Sequence, residues 1–150
     1  MIKLLDQEAS ADAEKIYDIF QVSYAVEADL LGATDFPPLK RSVVDFMKSN
    51  TSFFGFWQGE HLAAVLEIEP QPTAFHICSL VVDPDYFRQG IASKLIDHIL
   101  DLFEGNPITV ETGLANEPAK KLYEFFGFKE NGQYDTDHGI RKIKFIHKRG

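Results

Sequence analysis

Residues 80–92 read Leu-Val-Val-Asp-Pro-Asp-Tyr-Phe-Arg-Gln-Gly-Ile-Ala: an apolar run ending at Val82, a polar loop, and the opening of a helix near Gly90. A strand-to-helix junction of this kind points several backbone N–H groups at one spot, at the positive end of a helix dipole, and so makes a site for a pyrophosphate. Phosphate oxygens can approach the backbone only where side chains are small; Gly90 brings none and Ala92 a single methyl. The same glycine also serves a plain turn with no ligand, and Gly-x-Ala alone does not choose between the two. Neither Gly-x-Gly-x-x-Gly nor Gly-Lys-Ser/Thr occurs, so the dinucleotide and P-loop readings lose support. A second segment, Asn116–Phe128, has a helix cap at Asn116, a first-turn Pro118 and an exit at Gly127. On spacing alone Leu122, Phe125 and Phe126 are core, and Tyr123 is an amphipathic neighbour with its hydroxyl at the surface.

The elements that must position these segments follow from periodicity and punctuation. Residues 1–5 form a strand. Ser10 caps a helix to about Ala28, with Ile16, Ile19, Phe20 and Ser23 along one face. Residues 29–39, with Gly32, Pro37 and Pro38, are irregular, and a short helix covers Arg41–Lys48 with Val44 and Met47 inward. Phe53–Trp57 and Leu62–Ile68 are strands around a Gln58-Gly59-Glu60 turn, and Ala74–Val82 is a third. The helix at 90–104 turns Ile91, Leu95, Ile96, Ile99, Leu102 and Phe103 to one side. Ile108–Thr112 is a strand, 117–126 a helix, and 128–134 with 140–147 a closing hairpin. The basic stretch Arg141–Arg149, interleaved with Ile143 and Phe145, reads as an edge strand with a solvated face. The order β-α-α-β-β-β-α-β-α-β-β is not a strict β-α alternation; it fits a mixed α/β (α+β) fold with helices on both faces of one sheet.

At 150 residues the chain forms one domain, and 45% hydrophobic content supplies an ordinary globular core. No apolar run reaches the roughly 20 residues of a membrane span, and no signal peptide is visible. The lone Cys78 excludes an internal disulfide and fits a reducing cytoplasm. A formal charge of −8 argues against a nucleic-acid partner and slightly favours a cationic one such as an amine. The five histidines show no metal-ligand spacing, so no metal is expected.

Taken together, the two segments resemble the GCN5-related N-acetyltransferase (GNAT) superfamily. Its first signature, [Gln/Arg]-x-x-Gly-x-[Gly/Ala], falls on Phe87–Ala92, with Phe87 departing from the first position and Arg88 retaining basic character beside it. Its second, Asn-x-x-Ala-x-x-Leu-Tyr-x-x-x-Gly-Phe, is matched in full by Asn116, Ala119, Leu122, Tyr123, Gly127 and Phe128. The resemblance implies a mostly antiparallel sheet of about seven strands, dimers as a common state, and transfer of an acyl group, usually acetyl, from acetyl-CoA to an amine.

Carried over by position, the loop Arg88, Gln89, Gly90, Ile91 and Ala92 would hold the pyrophosphate. Leu80, Val81 and Val82 would bond the pantetheine, with the Val82 amide on the thioester oxygen. The cofactor slot would open where strands part after 82 and 112, because Pro84 cannot donate to a ladder. Asn116 would contact the pantetheine, and Tyr123 would protonate the departing thiolate. The amine would lose its proton to a base or through a water chain to bulk. His76, placed by alternation on one face with Leu80 and Val82, is the best side-chain candidate, although an outward sheet histidine with no role fits the same position, and Glu67 and Glu69 are alternatives. Cys78 is a packing residue, since the family uses direct attack. The acceptor, a small-molecule or peptide amine, would meet Tyr24, Glu27 and Phe36 on the segment after the first helix, where Asp29 and Asp35 add negative charge. A non-catalytic acyl-CoA-binding regulatory module is the alternative function, and a plain interaction domain a third.

Overall fold

The computed structural model describes residues 1–148; Arg149 lies outside the described residues. Strands β1 (Ile2–Leu4), β2 (Ser52–Gln58), β3 (His61–Pro70), β4 (Phe75–Val82), β5 (Ile108–Gly113), β6 (Lys129–Asp135) and β7 (Arg141–His147) form one sheet in the order β1-β2-β3-β4-β5-β7-β6. Only the β4–β5 pair is parallel. Helices α1 (Ser10–Leu31) and α2 (Val43–Met47) cover one face; α3 (Ile91–Leu102) and α4 (Glu117–Phe125) cover the other.

Each face has its own apolar cluster. Ile16, Ile19, Phe20, Tyr24 and Ala28 of α1 repeat at three- and four-residue intervals and pack on Phe53, Val65 and Val81. On the far side Ile91, Leu95, Ile96, Ile99 and Leu100 of α3 pack on Leu66, Ile77 and Val110. Several expected side-chain placements change. Leu100 is buried where Leu102 is exposed, Tyr24 and not Ser23 continues the α1 stripe, and Phe46, not Val44, fills the space under α2. Tyr123 is buried at 4% exposure, while Phe125 stands out at 81%. Ser10 is the first residue of α1 and does not cap it; position 9 is Ala9, with no side-chain cap. Strand β7 is not an edge: it inserts between β5 and β6, because Ile143 and Phe145 join the α3–α4 core and need cover from both neighbours.

A β-bulge in β4 controls the site. Glu67 pairs with Ser79 but Ile68 pairs with Ile77, so Cys78 is an extra residue on β4. Alternation therefore slips. Ile77, Leu80 and Val82 all belong to the α3–α4 face, whereas Ser79 and Val81 turn to the α1 face. His76, one residue before Ile77, is on the α1 face and does not share a face with Leu80 and Val82.

Candidate active site

Strands β4 and β5 pair only from Phe75–Ile108 to Ile77–Val110. The parting thus begins at the bulge, several residues before Pro84, and the bulge is its cause in place of the proline. Beyond it β4 remains laddered to β3. The Asp83 amide donates to the Ala63 carbonyl at 2.9 Å, which fixes the phase of the antiparallel pairing. Val81 then bonds Val65, and the amides of Leu80 and Val82 point away from β3, into the gap toward β5.

Two adjoining cavities follow the gap. One, of about 430 Å³, runs from the gap to the start of α3 and is lined by Tyr86, Phe87, Arg88, Gly90, Ile91, Ala92 and Ser93. The other, of about 470 Å³, opens on the α1 side between Phe36–Pro38 and the β6–β7 hairpin. Glu27, Leu80, Val82, Asn116 and Leu122 line both. A ligand can therefore reach through the sheet from the α3 side to the α1 side.

At the first cavity Asp83 caps the 3-10 turn Pro84–Tyr86, its Oδ1 accepting from the Asp85 amide at 2.9 Å. The chain then passes through two left-handed residues, Arg88 (φ 64°) and Gly90 (φ 73°), before α3 begins. Gly90 takes this conformation without the penalty that a Cβ brings at Arg88. A Cβ on Gly90 would meet nothing within 4 Å, so local crowding is not the reason for glycine in the free protein. The first amides of α3 lack intrahelical partners, and the residues that carry them, Ile91, Ala92 and Ser93, line this cavity. Gln89 and Val81 are not among the lining residues; Ser93, unmarked in the sequence reading, is.

Asn116 caps α4, its Oδ1 accepting from the Ala119 amide at 3.2 Å. Its Nδ2 donates to Glu27 at 3.2 Å, tying α4 to α1 across the gap. Tyr123 lies two turns further on, wedged edge-on against Phe128 at 5.4 Å. Burial, with Tyr24 and Glu27 nearby, raises its pKa, so the phenol stays protonated at neutral pH. No described residue bonds its hydroxyl.

The second cavity contains Tyr24, Glu27 and Phe36, the three residues expected to meet an acceptor. Burial raises the Tyr24 pKa, and its phenol faces Ser79. Burial also raises the Glu27 carboxyl, against the opposing pull of Lys142 and Asn116. Glu111 of β5 lines the same cavity and was not singled out from sequence. It accepts from the Tyr134 hydroxyl and stands 3.6 Å from Lys142. Elsewhere in the cavity Arg41 clamps Glu67 at 2.7 and 2.9 Å, and the His138 ring lies 4.0 Å from Asp35.

His76 does not line this cavity. Its Nδ1 bonds Thr109 Oγ1 at 2.7 Å, and burial lowers its pKa. Glu67 is 2% exposed and fully engaged by Arg41, Thr51 and Ser79, so it has no free lone pair to offer an amine. Cys78 faces the gap, but burial pushes its thiol up to about 12, which keeps it out of the nucleophilic thiolate form. No group of three His, Cys, Asp or Glu among the described residues could hold a metal, and no helix among them could cross a membrane.

A parted parallel strand pair with free strand amides, a helix start able to take an anion and a buried phenol thus border two connected cavities. The chain belongs to the acetyltransferase (GNAT) family, whose model matches residues 13–128. Among relatives, UPF0157 protein YqkA of Bacillus subtilis (strain 168) is 32% identical over 141 residues, covering 93% of this chain and 41% of that protein. The chain thus spans less than half of that relative. The [ribosomal protein bS18]-alanine N-acetyltransferase of Salmonella typhimurium is 29% identical over 117 residues, covering 67% of this chain and 79% of that one. The crystal structure of the ribosomal-protein-S18-alanine N-acetyltransferase from Escherichia coli superposes with a TM-score of 0.78 at 24% identity, covering 100% of this chain and 94% of that one.

Proposed function

We propose that this chain transfers the acetyl group of acetyl-CoA to a primary amine by direct attack in a ternary complex. The pyrophosphate rests on the amides at the start of α3, with Arg88 beside them. The pantetheine lies in the gap along Leu80 and Val82, whose amides bond it and polarise the thioester oxygen. Tyr123 gives its proton to the sulfur as the C–S bond breaks, and is reprotonated from solvent.

The amine enters from the α1 side, between Tyr24 and Phe36, and its ammonium form is held by Glu27. Glu111 takes the proton that the nitrogen must lose before attack, because it stands on the acceptor side of the gap. His76 and Thr109, on the same face of the sheet, lie on the way out for that proton; His76 is too far back to receive it first. The observation that carries the assignment is the convergence of strand gap, Tyr123 phenol and the Glu27 and Glu111 carboxylates on one cavity.

The acceptor we infer is a small molecule or a peptide amine. The test is a thiol-release screen with acetyl-CoA against peptide N-termini, lysine peptides, polyamines, amino acids and aminoglycosides. Release with one class names the acceptor. Tight acetyl-CoA binding with no release from any class would replace the enzyme by a non-catalytic acyl-CoA-binding module.

A further inference from the structure

The segment that carries the proposed pyrophosphate site holds a non-glycine residue, Arg88, in the left-handed region. That conformation is disfavoured for a residue with a Cβ and persists only where the surroundings fix it. Among the described residues, a single side-chain hydrogen bond reaches 83–90 from another element. It comes from His61, the first residue of β3 after the Gly59 turn, whose Nε2 donates to Asp83 Oδ2 at 2.9 Å. The same imidazole lies flat on the Tyr86 ring, centroids 5.1 Å apart and planes 19° from parallel. Asp83 uses its other oxygen to cap the turn that begins the loop, and Tyr86 lines the cavity at its end. One exposed imidazole thus grips the loop at both ends of its first turn, from outside the ligand cavity.

We propose that His61 is a positioning residue for cofactor binding: through Asp83 and Tyr86 it holds the 84–92 loop in the shape that presents its amides to a pyrophosphate. The proposal rests on the reading of that loop as the pyrophosphate site. Without the brace the loop samples other conformations, and affinity falls by the fraction of time it is misshapen. Because the His61–Asp83 contact is exposed to solvent, its loss with the stacking contact corresponds to about fivefold to tenfold in affinity, less than a desolvated charge-assisted bond.

The experiment is calorimetric titration of the full chain with CoA, with steady-state kinetics on the acceptor from the screen, for His61→Ala, His61→Gln and Gly90→Val. The expected result is a Kd for CoA raised about fivefold to tenfold in His61→Ala, partly restored in His61→Gln, which keeps the hydrogen bond and loses the stack. The KM for acetyl-CoA should rise in step while kcat and the acceptor KM hold. A lowered melting temperature with unchanged Kd would make His61 merely structural and overturn the proposal. So would unchanged Kd in His61→Ala beside weakened binding in Gly90→Val. Unchanged binding in Gly90→Val as well would instead remove the pyrophosphate site itself.

Discussion

Gly90→Val isolates what the loop backbone contributes to cofactor affinity. Gly90 sits at φ 73°, ψ 16°, immediately before the first residue of α3. A Cβ there meets no neighbouring atom within 4 Å, so attaching one causes no collision in the free protein. Its penalty is conformational, roughly 1–2 kcal/mol for holding a residue with a Cβ in the left-handed region, and more for a β-branched one. If the loop keeps its shape, that cost lowers the melting temperature by about 2–8 °C for a domain of this size. If the loop relaxes to negative φ instead, the peptide planes flanking Gly90 rotate and at least one amide leaves the phosphate site. One charge-assisted hydrogen bond is worth about 1.5–3 kcal/mol, or roughly 10- to 100-fold in Kd. Phe87 is 44% exposed at the cavity mouth and offers no polar group, so Phe87→Ala should weaken binding by no more than about threefold. Calorimetric titration with CoA and thermal unfolding of both variants give the four numbers needed. Weaker binding in Phe87→Ala than in Gly90→Val would refute the assignment of the pyrophosphate to the loop amides.

Tyr123→Phe should lower kcat by about 100-fold with little change in the KM for acetyl-CoA or in melting temperature, because no described residue bonds the hydroxyl it removes; an unchanged rate of CoA release would end the general-acid assignment. Glu111→Gln should lower kcat by about 100-fold, while His76→Asn costs no more than about threefold; the reverse ranking in a steady-state assay would return the base role to His76. Glu27→Gln tests a sign. Burial raises this carboxyl, so the folded chain keeps a proton that the unfolded chain has released, and the group's contribution to stability falls as pH rises above the ordinary carboxylate range. The variant should therefore gain melting temperature relative to the parent at pH 7 compared with pH 4, and a gain confined to pH 4 would contradict the shift.

The parts of the site legible in the sequence are those fixed by local chemistry. Asn116 caps α4 whatever it later binds, Gly127 exits it at φ 89°, and the 83–90 loop needs its glycine for backbone conformation alone. Tyr24, Glu27 and Phe36 reach the cavity because α1 ends beside it. What escaped was set by pairing between distant strands. Nothing near Cys78 marks it as the surplus residue; the bulge exists only relative to Glu67 and Ile68 on β3. Missing it sent His76 to the wrong face. The place of β7 between β5 and β6 likewise depends on which neighbour covers Ile143 and Phe145, and a hairpin's sequence does not say which of its strands is outer. Glu111 was missed because one acid in a strand of mixed polarity carries no local signal.

The bulge also explains why a charged network is buried beside the acceptor cavity. By turning Ser79 to the α1 face it brings the Ser79 hydroxyl within 3.1 Å of Glu67, which is already held by both guanidinium nitrogens of Arg41 and by Thr51 at 2.7 Å. Arg41 in turn lies 4.3 Å over the Phe46 ring and ends the segment that walls the acceptor side. Replacing such a network with apolar residues commonly leaves a protein as stable or more so, so stability alone does not account for it. Its geometric effect is specific. It locks the acceptor-side segment to the strand residue next to the bulge, and the bulge sets where β4 leaves β5 and which amides face the gap. The donor cavity on the α3 side and the acceptor cavity on the α1 side are thereby registered to the same two peptide groups, those of Leu80 and Val82. The proposed direct transfer would need that registration, because a thioester on the α3 side and an amine on the α1 side have to meet within bonding reach.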